Sequence, residues 1–234
     1  MILSIHQPSY FPWLGLLHKI ASSDVYMVMD EVQLTDSAYQ HRNQFLTADG
    51  KVKFLTIPFY KKNYLQRPFN ELEIANPGWR TDHHNFLTNS YRRHPYFREI
   101  MPAVEHFLSS DYELLGDAVL ASMRISLNFF CIDTKLVFQS AMAYERSLKR
   151  GDLVLALIKA AGADCYLSGT GAKAYLDEGE FKDGLRLIYD RFLHPTYPQR
   201  NQALFVPGLS CLDFLFNVGP EGARDLFADV GGKA

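Results

Sequence analysis

Apolar positions along this chain follow two periods, and the switches between them lay out an α/β unit. Ile2 to Ile5 reads as a short buried strand, interrupted by the proline-rich stretch that holds Pro8 and Pro12. Trp13, Leu14, Leu17, Ile20 and Ala21 then recur at helical spacing, and Asp24 to Asp30 reads as a second strand. Strand, loop, helix, strand is a crossover of the kind that makes its two strands parallel. Asn43 to Thr47 leads through the turn Ala48-Asp49-Gly50 into Val52 to Ile57, a predicted hairpin closed by Pro58. Residues 59–77 read as loop with a short strand around Leu72 to Ile74. From Gly78 the pattern turns helical over Trp79 to Arg92, Tyr96 to Ser109 and Tyr112 to Phe130. Further strands are predicted at Thr134 to Phe138, Cys165 to Leu167 and Leu185 to Tyr189, and a helix at Leu153 to Ala161 that ends near Gly162. Helical turns are expected at Leu212 to Asn217 and Ala223 to Ala228. The expectation is a single α/β domain over residues 1–234, with a Rossmann-like, mostly parallel sheet flanked by helices and a helical insert around residues 78–130.

Composition narrows the function. With 47% hydrophobic and 21% charged residues, the chain is globular rather than disordered. A formal net charge of -2 gives no case for a general basic surface, so nucleic acid is not an expected partner. Cys131, Cys165 and Cys211 are scattered with no CxxC pair, against a disulfide framework or a structural zinc site. No signal peptide is visible, and no apolar run approaches the ~20 residues that span a bilayer. A cytoplasmic protein is expected.

Candidate chemistry collects where strands are predicted to end. Ser168-Gly169-Thr170-Gly171-Ala172-Lys173-Ala174-Tyr175-Leu176 lies where a strand turns into a predicted helix. Glycines there let backbone N–H groups converge, and a helix N-terminus adds partial positive charge, which makes a seat for a phosphate or carboxylate. The plainer reading is a tight turn whose Ser or Thr caps the helix. His6-Gln7-Pro8-Ser9-Tyr10-Phe11-Pro12-Trp13 follows the first strand, at the sheet edge where open α/β folds bind ligands. Asp30-Glu31-Val32-Gln33 and His41-Arg42-Asn43-Gln44 follow the second strand. Arg42 fits two oxygens at once, or pairs with Asp30 or Glu31. His194-Pro195-Thr196-Tyr197-Pro198-Gln199 repeats the proline-stiffened design of the first loop.

Other residues read as structural. His83-His84 is a poor metal pair and reads as partly solvated, because adjacent residues do not share a helix face. Ser210 reads as a helix cap, with Asp213 complementing the dipole or orienting a site histidine. Cys165 reads as a small hydrophobe, with no local base to make a thiolate. No GxSxG elbow, HExxH or Walker lysine motif is present, and no metal site is expected.

In order along the chain, His6-Gln7-Pro8 with Tyr10-Phe11-Pro12-Trp13-Leu14-Gly15, Asp30-Glu31-Val32-Gln33, Arg42-Asn43, Tyr166-Leu167-Ser168-Gly169 with Gly171-Ala172 and Tyr175-Leu176, His194-Pro195 with Tyr197 and Gln199, Leu209-Ser210 with Leu212-Asp213, and Phe216-Asn217-Val218-Gly219 resemble the WbqC-like proteins of bacteria. The resemblance spans nearly the whole chain. It implies a setting in surface-polysaccharide (O-antigen, lipopolysaccharide) biosynthesis, with modification of nucleotide-linked amino sugars by amino-acid groups such as glycine. A looser likeness, in layout only, is to the nucleotidylyl-transferring α/β superfamily that includes pantothenate synthetase. That likeness would bring ATP as cofactor, with His6 and His18 on its phosphates and Lys173 neutralising charge, but the superfamily's HxGH is absent here.

Three functions follow. The first is acyl or aminoacyl transfer that makes an amide, with His6 or His194 as base and Lys173 with the Gly169 to Gly171 backbone on phosphate or oxyanion. In that reading Gln7, Tyr10, Trp13, Asp30, Gln33, Arg42, Asn43, Ser168, Thr170, Tyr175, Tyr197 and Gln199 complete the substrate site. The second is a metal-free glycosyltransferase with Asp30 as base, and the third a non-catalytic scaffold of a polysaccharide-synthesis complex. The expected partner is a small molecule, a nucleotide-linked sugar or an amino acid, and a homo-oligomer is compatible with the aromatic content of 14%.

Overall fold

The computed structural model describes residues 1–34, 39–174, 176–182, 184–200, 202 and 204–230, leaving out the side chains of residues 173 and 174. In chain order the elements are β1 (Ile2–His6), α1 (Leu14–Ala21), β2 (Val25–Val28), β3 (Arg42–Leu46), β4 (Val52–Thr56), α2 (Trp79–Tyr91), α3 (Phe97–Ser109), α4 (Leu115–Phe129), β5 (Lys135–Phe138), α5 (Arg150–Ala160), β6 (Cys165–Ser168), β7 (Arg186–Tyr189) and α6 (Cys211–Leu226).

Five strands form one parallel sheet in the order β5-β2-β1-β6-β7, the α/β architecture the sequence predicts. β1 is central, with Leu3 opposite Val25 on one side and Tyr166 on the other. Alternation along the strands feeds two cores. Leu3, Ile5, Val25 and Met27 pack on Val154, Leu157 and Ile158 of α5. Tyr26 and Val28 belong to a larger core with Leu14, Leu17 and Ile20 of α1 and the apolar faces of α3, α4 and α6. α1 and α5 thus cover opposite faces, as right-handed crossovers on either side of a central strand require.

β3 and β4 form the expected antiparallel hairpin, apart from the main sheet. Its turn closes through Thr47, whose hydroxyl donates to Asp49 and accepts from the Lys51 N–H, and through Gly50 at φ 82°.

Four local expectations are corrected. The strand expected around Leu72 to Ile74 is reduced to isolated bridges, Phe59 to Ile74 and Glu73 to Leu114, because the segment is shared between two different loops. The helix expected after the glycine-rich turn is only a 3₁₀ turn, Thr170–Ala174, in keeping with the poor helix propensity of Gly171. The two helical turns near the end are halves of one element, α6, broken at Gly219 (φ 88°) next to Pro220. His83 is buried rather than solvated: its Nε2–H donates to the Thr56 carbonyl at 3.2 Å and its Nδ1 accepts from Tyr10 O–H at 2.9 Å.

Candidate functional site

A doubly wound sheet binds ligands where its strand order reverses, outside the carboxyl ends of the strands. Here the chain leaves β1 through α1 towards β2, and enters β6 through α5 on the opposite face. A cleft of about 650 Å³ opens between the ends of β1 and β6, with His6, Trp13, Lys19, Ser168, Gly169, Thr170, Gly171 and His194 among its walls.

His6, the last residue of β1, lies deep in the molecule yet keeps exposed surface because the cleft reaches it. Its Nδ1–H donates to the Gln7 carbonyl at 2.9 Å, an assignment that leaves Nε2 as an acceptor. Burial first, and the Lys19 charge second, pull its pKa down to about 4, so the ring is neutral at pH 7.

Lys19 reaches the floor of the cleft from α1. It is buried, and Nζ donates to the Ile5 carbonyl at 2.9 Å. Burial lowers its pKa to about 8, while Asp190 acts in the opposite sense. Asp190, one residue past β7, also lies 2.8 Å from His18 Nδ1. Neither Lys19 nor Asp190 lies in the sequence motifs that point to a site. The signal for Lys19 was a charged residue among Leu16, Leu17 and Ile20, on the face of α1 that should be apolar. Asp190 carried no such signal.

Ser168, the last residue of β6, is buried at the cleft wall, and Thr170 beyond it is exposed. Neither Gly169 nor Gly171 has a positive φ, and a Cβ on either would meet nothing within 4 Å. The glycines therefore leave open space beside a turn whose first N–H groups have no partner within it. Gly15 is different: a Cβ there would stand 2.1 Å from Trp13 Cζ3, so only glycine lets the indole lie across the start of α1. The indole meets Phe192 edge-on with centroids 5.9 Å apart.

His194 borders the cleft, but both ring nitrogens are engaged. Nδ1–H donates to the Pro195 carbonyl at 2.9 Å, and Nε2 accepts from the Gly208 N–H at 3.1 Å. In this arrangement its lone pair is taken up by the backbone at Gly208.

Other expected residues lie outside this cleft. Asn43 Nδ2 donates to the carbonyls of Tyr10 (3.1 Å) and Phe11 (2.7 Å), which pins a loop that passes through φ 36° at Phe11. Tyr10 is fully buried against His83. Tyr197 and Gln199 both donate to buried Asp213, at 2.8 and 3.2 Å, and Tyr91 donates to its other oxygen at 3.0 Å. Asp213 thus orients tyrosines and a loop rather than a histidine. Asp30 accepts from the Ser140 N–H and hydroxyl at 3.0 and 2.6 Å, and Arg42 stacks 4.7 Å over Phe54 rather than pairing with Asp30 or Glu31. Gln7 lines a smaller recess on the far side of His6, and Gln33 donates to the Leu65 carbonyl beside a third. Tyr175 and the Lys173 side chain lie outside the described residues.

Comparison with known proteins agrees with the motif reading. The sequence profile of the WbqC-like protein family matches residues 7–225. An uncharacterized protein of Mycobacterium tuberculosis, Rv1507c, is 30% identical over 226 residues, and the alignment covers 94% of each chain. No solved structure matches. Among the described residues, no helix is long and apolar enough to cross a membrane.

Proposed function

The chain belongs to the WbqC-like protein family, and from that premise and the cleft at His6 we propose that it is a small-molecule transferase. In this reading it acts on nucleotide-linked amino sugars in bacterial surface-polysaccharide biosynthesis and joins an acyl or aminoacyl group, such as glycyl, to the sugar amine. The observation that carries the reading is that one cleft is lined both by His6, whose Nδ1 is bonded to the Gln7 carbonyl, and by the buried Lys19 side chain.

The chemistry needs a base for the amine and a positive counterpart for the oxyanion. The amine nitrogen attacks the carbonyl carbon of an activated acyl donor, an acyl phosphate or thioester, and a C–N bond forms. The amine proton passes to His6 Nε2, and the bond from the carbonyl carbon to the leaving group breaks, with the leaving group taking the electron pair. Lys19 and the N–H groups at Gly169 to Gly171 face the charge that develops on oxygen or resides on phosphate. Trp13 offers a ring face for a base or sugar. An anionic donor beside Lys19 would offset the charge that depresses His6, which raises its basicity once substrate is bound.

The same donors suit the phosphates of a nucleoside triphosphate, with Lys19 and the open backbone at Gly169 and Gly171 holding them. Bound there, ATP would supply activation of the carboxyl group. Asp30, the base a glycosyltransferase would use, is buried and taken up by Ser140, so the geometry does not favour that alternative.

The test is a thermal-shift screen with ATP, a UDP-linked amino sugar and glycine, followed by mass spectrometry for an amide product. Saturating ligand at about a hundredfold over Kd stabilises by ~2.7 kcal/mol, a readily measured rise in Tm. The reading expects product with the wild type and none with His6→Ala. No shift from any of these ligands, or product formed at the wild-type rate by His6→Ala, would overturn it.

A further inference from the structure

A second recess, at the start of α5, plays no part in the chemistry above. It has a volume of about 460 Å³ and lies between the residues after β2, the β5–α5 connection and the start of α5. A smaller recess of about 350 Å³ shares Val32 and Arg150 with it and opens on His6 and Gln7. Ile5, His6 and Tyr166 line both the main cleft and this smaller recess.

Charge in this recess is one-sided. Arg146, Lys149 and Arg150 line it against the single carboxylate of Glu31. Arg146 is committed, with Nε 3.2 Å from Glu31 and its guanidinium 4.1 Å over the Tyr144 ring. Lys149 and Arg150 are exposed and have no ion-pair partner among the described residues. α5 begins between them with no side-chain cap.

Gln139 is an independent sign of a ligand. It lines the recess and is only 2% exposed. Its Nε2 donates to the Tyr144 hydroxyl at 2.7 Å, and that hydroxyl donates to Glu31 at 2.8 Å. A phenol has one proton to give, so this chain fixes the amide orientation. Gln139 Oε1 is left buried with no donor among the described residues. A native fold rarely tolerates such an acceptor unless something else satisfies it.

We infer that this recess binds a sugar phosphate ester. The phosphate meets Lys149, Arg150 and the first N–H groups of α5, and a sugar hydroxyl or amine donates to Gln139 Oε1. A cation pair alone would take any anion; the orphaned acceptor is what selects one that carries a hydrogen-bond donor. The assignment of this ligand as the acceptor substrate, approaching His6 from the side opposite the acyl donor, rests on the transfer reading above. Its binding does not.

Calorimetric titration with glucose 1-phosphate, inorganic phosphate and glucose tests the inference, with thermal unfolding as a folding check on every variant. Wild type is expected to bind glucose 1-phosphate saturably with a Kd at or below about 1 mM, and more tightly than either fragment. Lys149→Ala/Arg150→Ala is expected to weaken it at least about tenfold through lost charge-assisted bonds. Gln139→Met should bring its affinity down to that of inorganic phosphate, and Lys19→Met should leave it unchanged. No saturable binding by wild type, equal affinity for inorganic phosphate, or wild-type binding by the double variant would overturn the inference. A loss confined to Lys19→Met would do so as well, because the ester would then occupy the main cleft. Intact glucose 1-phosphate binding with no amide product would overturn the transfer reading alone.

Discussion

Lys19 Nζ and the carbonyl oxygen of Ile5 stand 2.9 Å apart, which ties α1 to β1 and fixes a buried ammonium at the floor of the cleft. The folded protein holds this proton less tightly than an unfolded chain would, with a pKa near 8 against 10.5. Burial of the charge therefore costs stability below pH 8, a cost relieved as pH rises from about 8 to 10.5. Lys19→Met is expected to keep or raise Tm while it weakens ATP binding at least about tenfold. Wild-type ATP binding should fall as pH rises through about 8. A variant that loses Tm yet binds ATP normally would make Lys19 a purely structural residue.

His83 titrates in the opposite range. Burial lowers its pKa from 6.5 to about 4, and it accepts from Tyr10 O–H only when neutral. The unfolded state binds the proton first, so this contribution to stability is whole above pH 6.5 and is lost as pH falls towards 4. His83→Gln should lower Tm at pH 7 and flatten the dependence of Tm on pH between 4 and 6.5. An unchanged slope would assign the acid sensitivity to other groups, His6 first among them.

Much of this was legible in the sequence. The strands, the crossover, the hairpin and the helices from Gly78 onwards follow from apolar periodicity, and the sheet edge that carries His6, Trp13 and Ser168 follows from where the strands end. What periodicity does not carry is side-chain direction. Tyr10 and Asn43 stand in motif segments beside His6 and Arg42, yet both turn inward, Tyr10 to His83 and Asn43 to the backbone at Tyr10 and Phe11. Lys19 stands out only as a charge on the apolar face of α1, a signal that does not say its stem crosses towards Ile5. His194 was legible as a loop histidine but not as one with both nitrogens engaged.

Asn43 gives the next prediction. Its amide donates to two carbonyls and its Oδ1 accepts from the Gln44 N–H at 2.8 Å, all in a fully buried site. Asn43→Ala strands the Tyr10 carbonyl, takes one of two donors from the Phe11 carbonyl and loosens the strained turn there, for an expected loss of about 2–4 kcal/mol in chemical denaturation. Asn43→Asp, which removes the donors but keeps the size, should cost at least as much. A loss below about 0.5 kcal/mol would show that Ser122 and Ser210, which also bond Phe11, suffice to hold the turn.

Asp213 holds three donors from two segments, Tyr91 of α2 and Tyr197 with Gln199 of the loop that carries His194. Asp213→Ala takes the acceptor from the buried O–H groups of Tyr91 and Tyr197 and should cost about 3 kcal/mol. The effect on catalysis should be indirect. If residual folded protein keeps its wild-type affinity for ATP, Asp213 acts on stability alone; a loss of affinity beyond the unfolded fraction would show that it also shapes the cleft wall at His194 and Gly208.

Gly15→Ala separates the indole from the fold. Alanine at an α-helical position gains about 1 kcal/mol over glycine in intrinsic propensity, so on backbone grounds the substitution should stabilise α1. The added Cβ, however, falls 2.1 Å from Trp13 Cζ3 and 2.2 Å from Cη2, and 2.9 Å from the Phe192 ring. The indole is the movable partner because it is 39% exposed. The chain has two tryptophans, and Trp79 is buried, so a red shift in emission would report Trp13 swinging into solvent. The expected result is that shift with Tm nearly unchanged, together with weaker binding of nucleotide ligands by about tenfold from the lost stacking face. A red shift with undiminished nucleotide affinity would remove Trp13 from the site and leave its contact with Phe192 as packing.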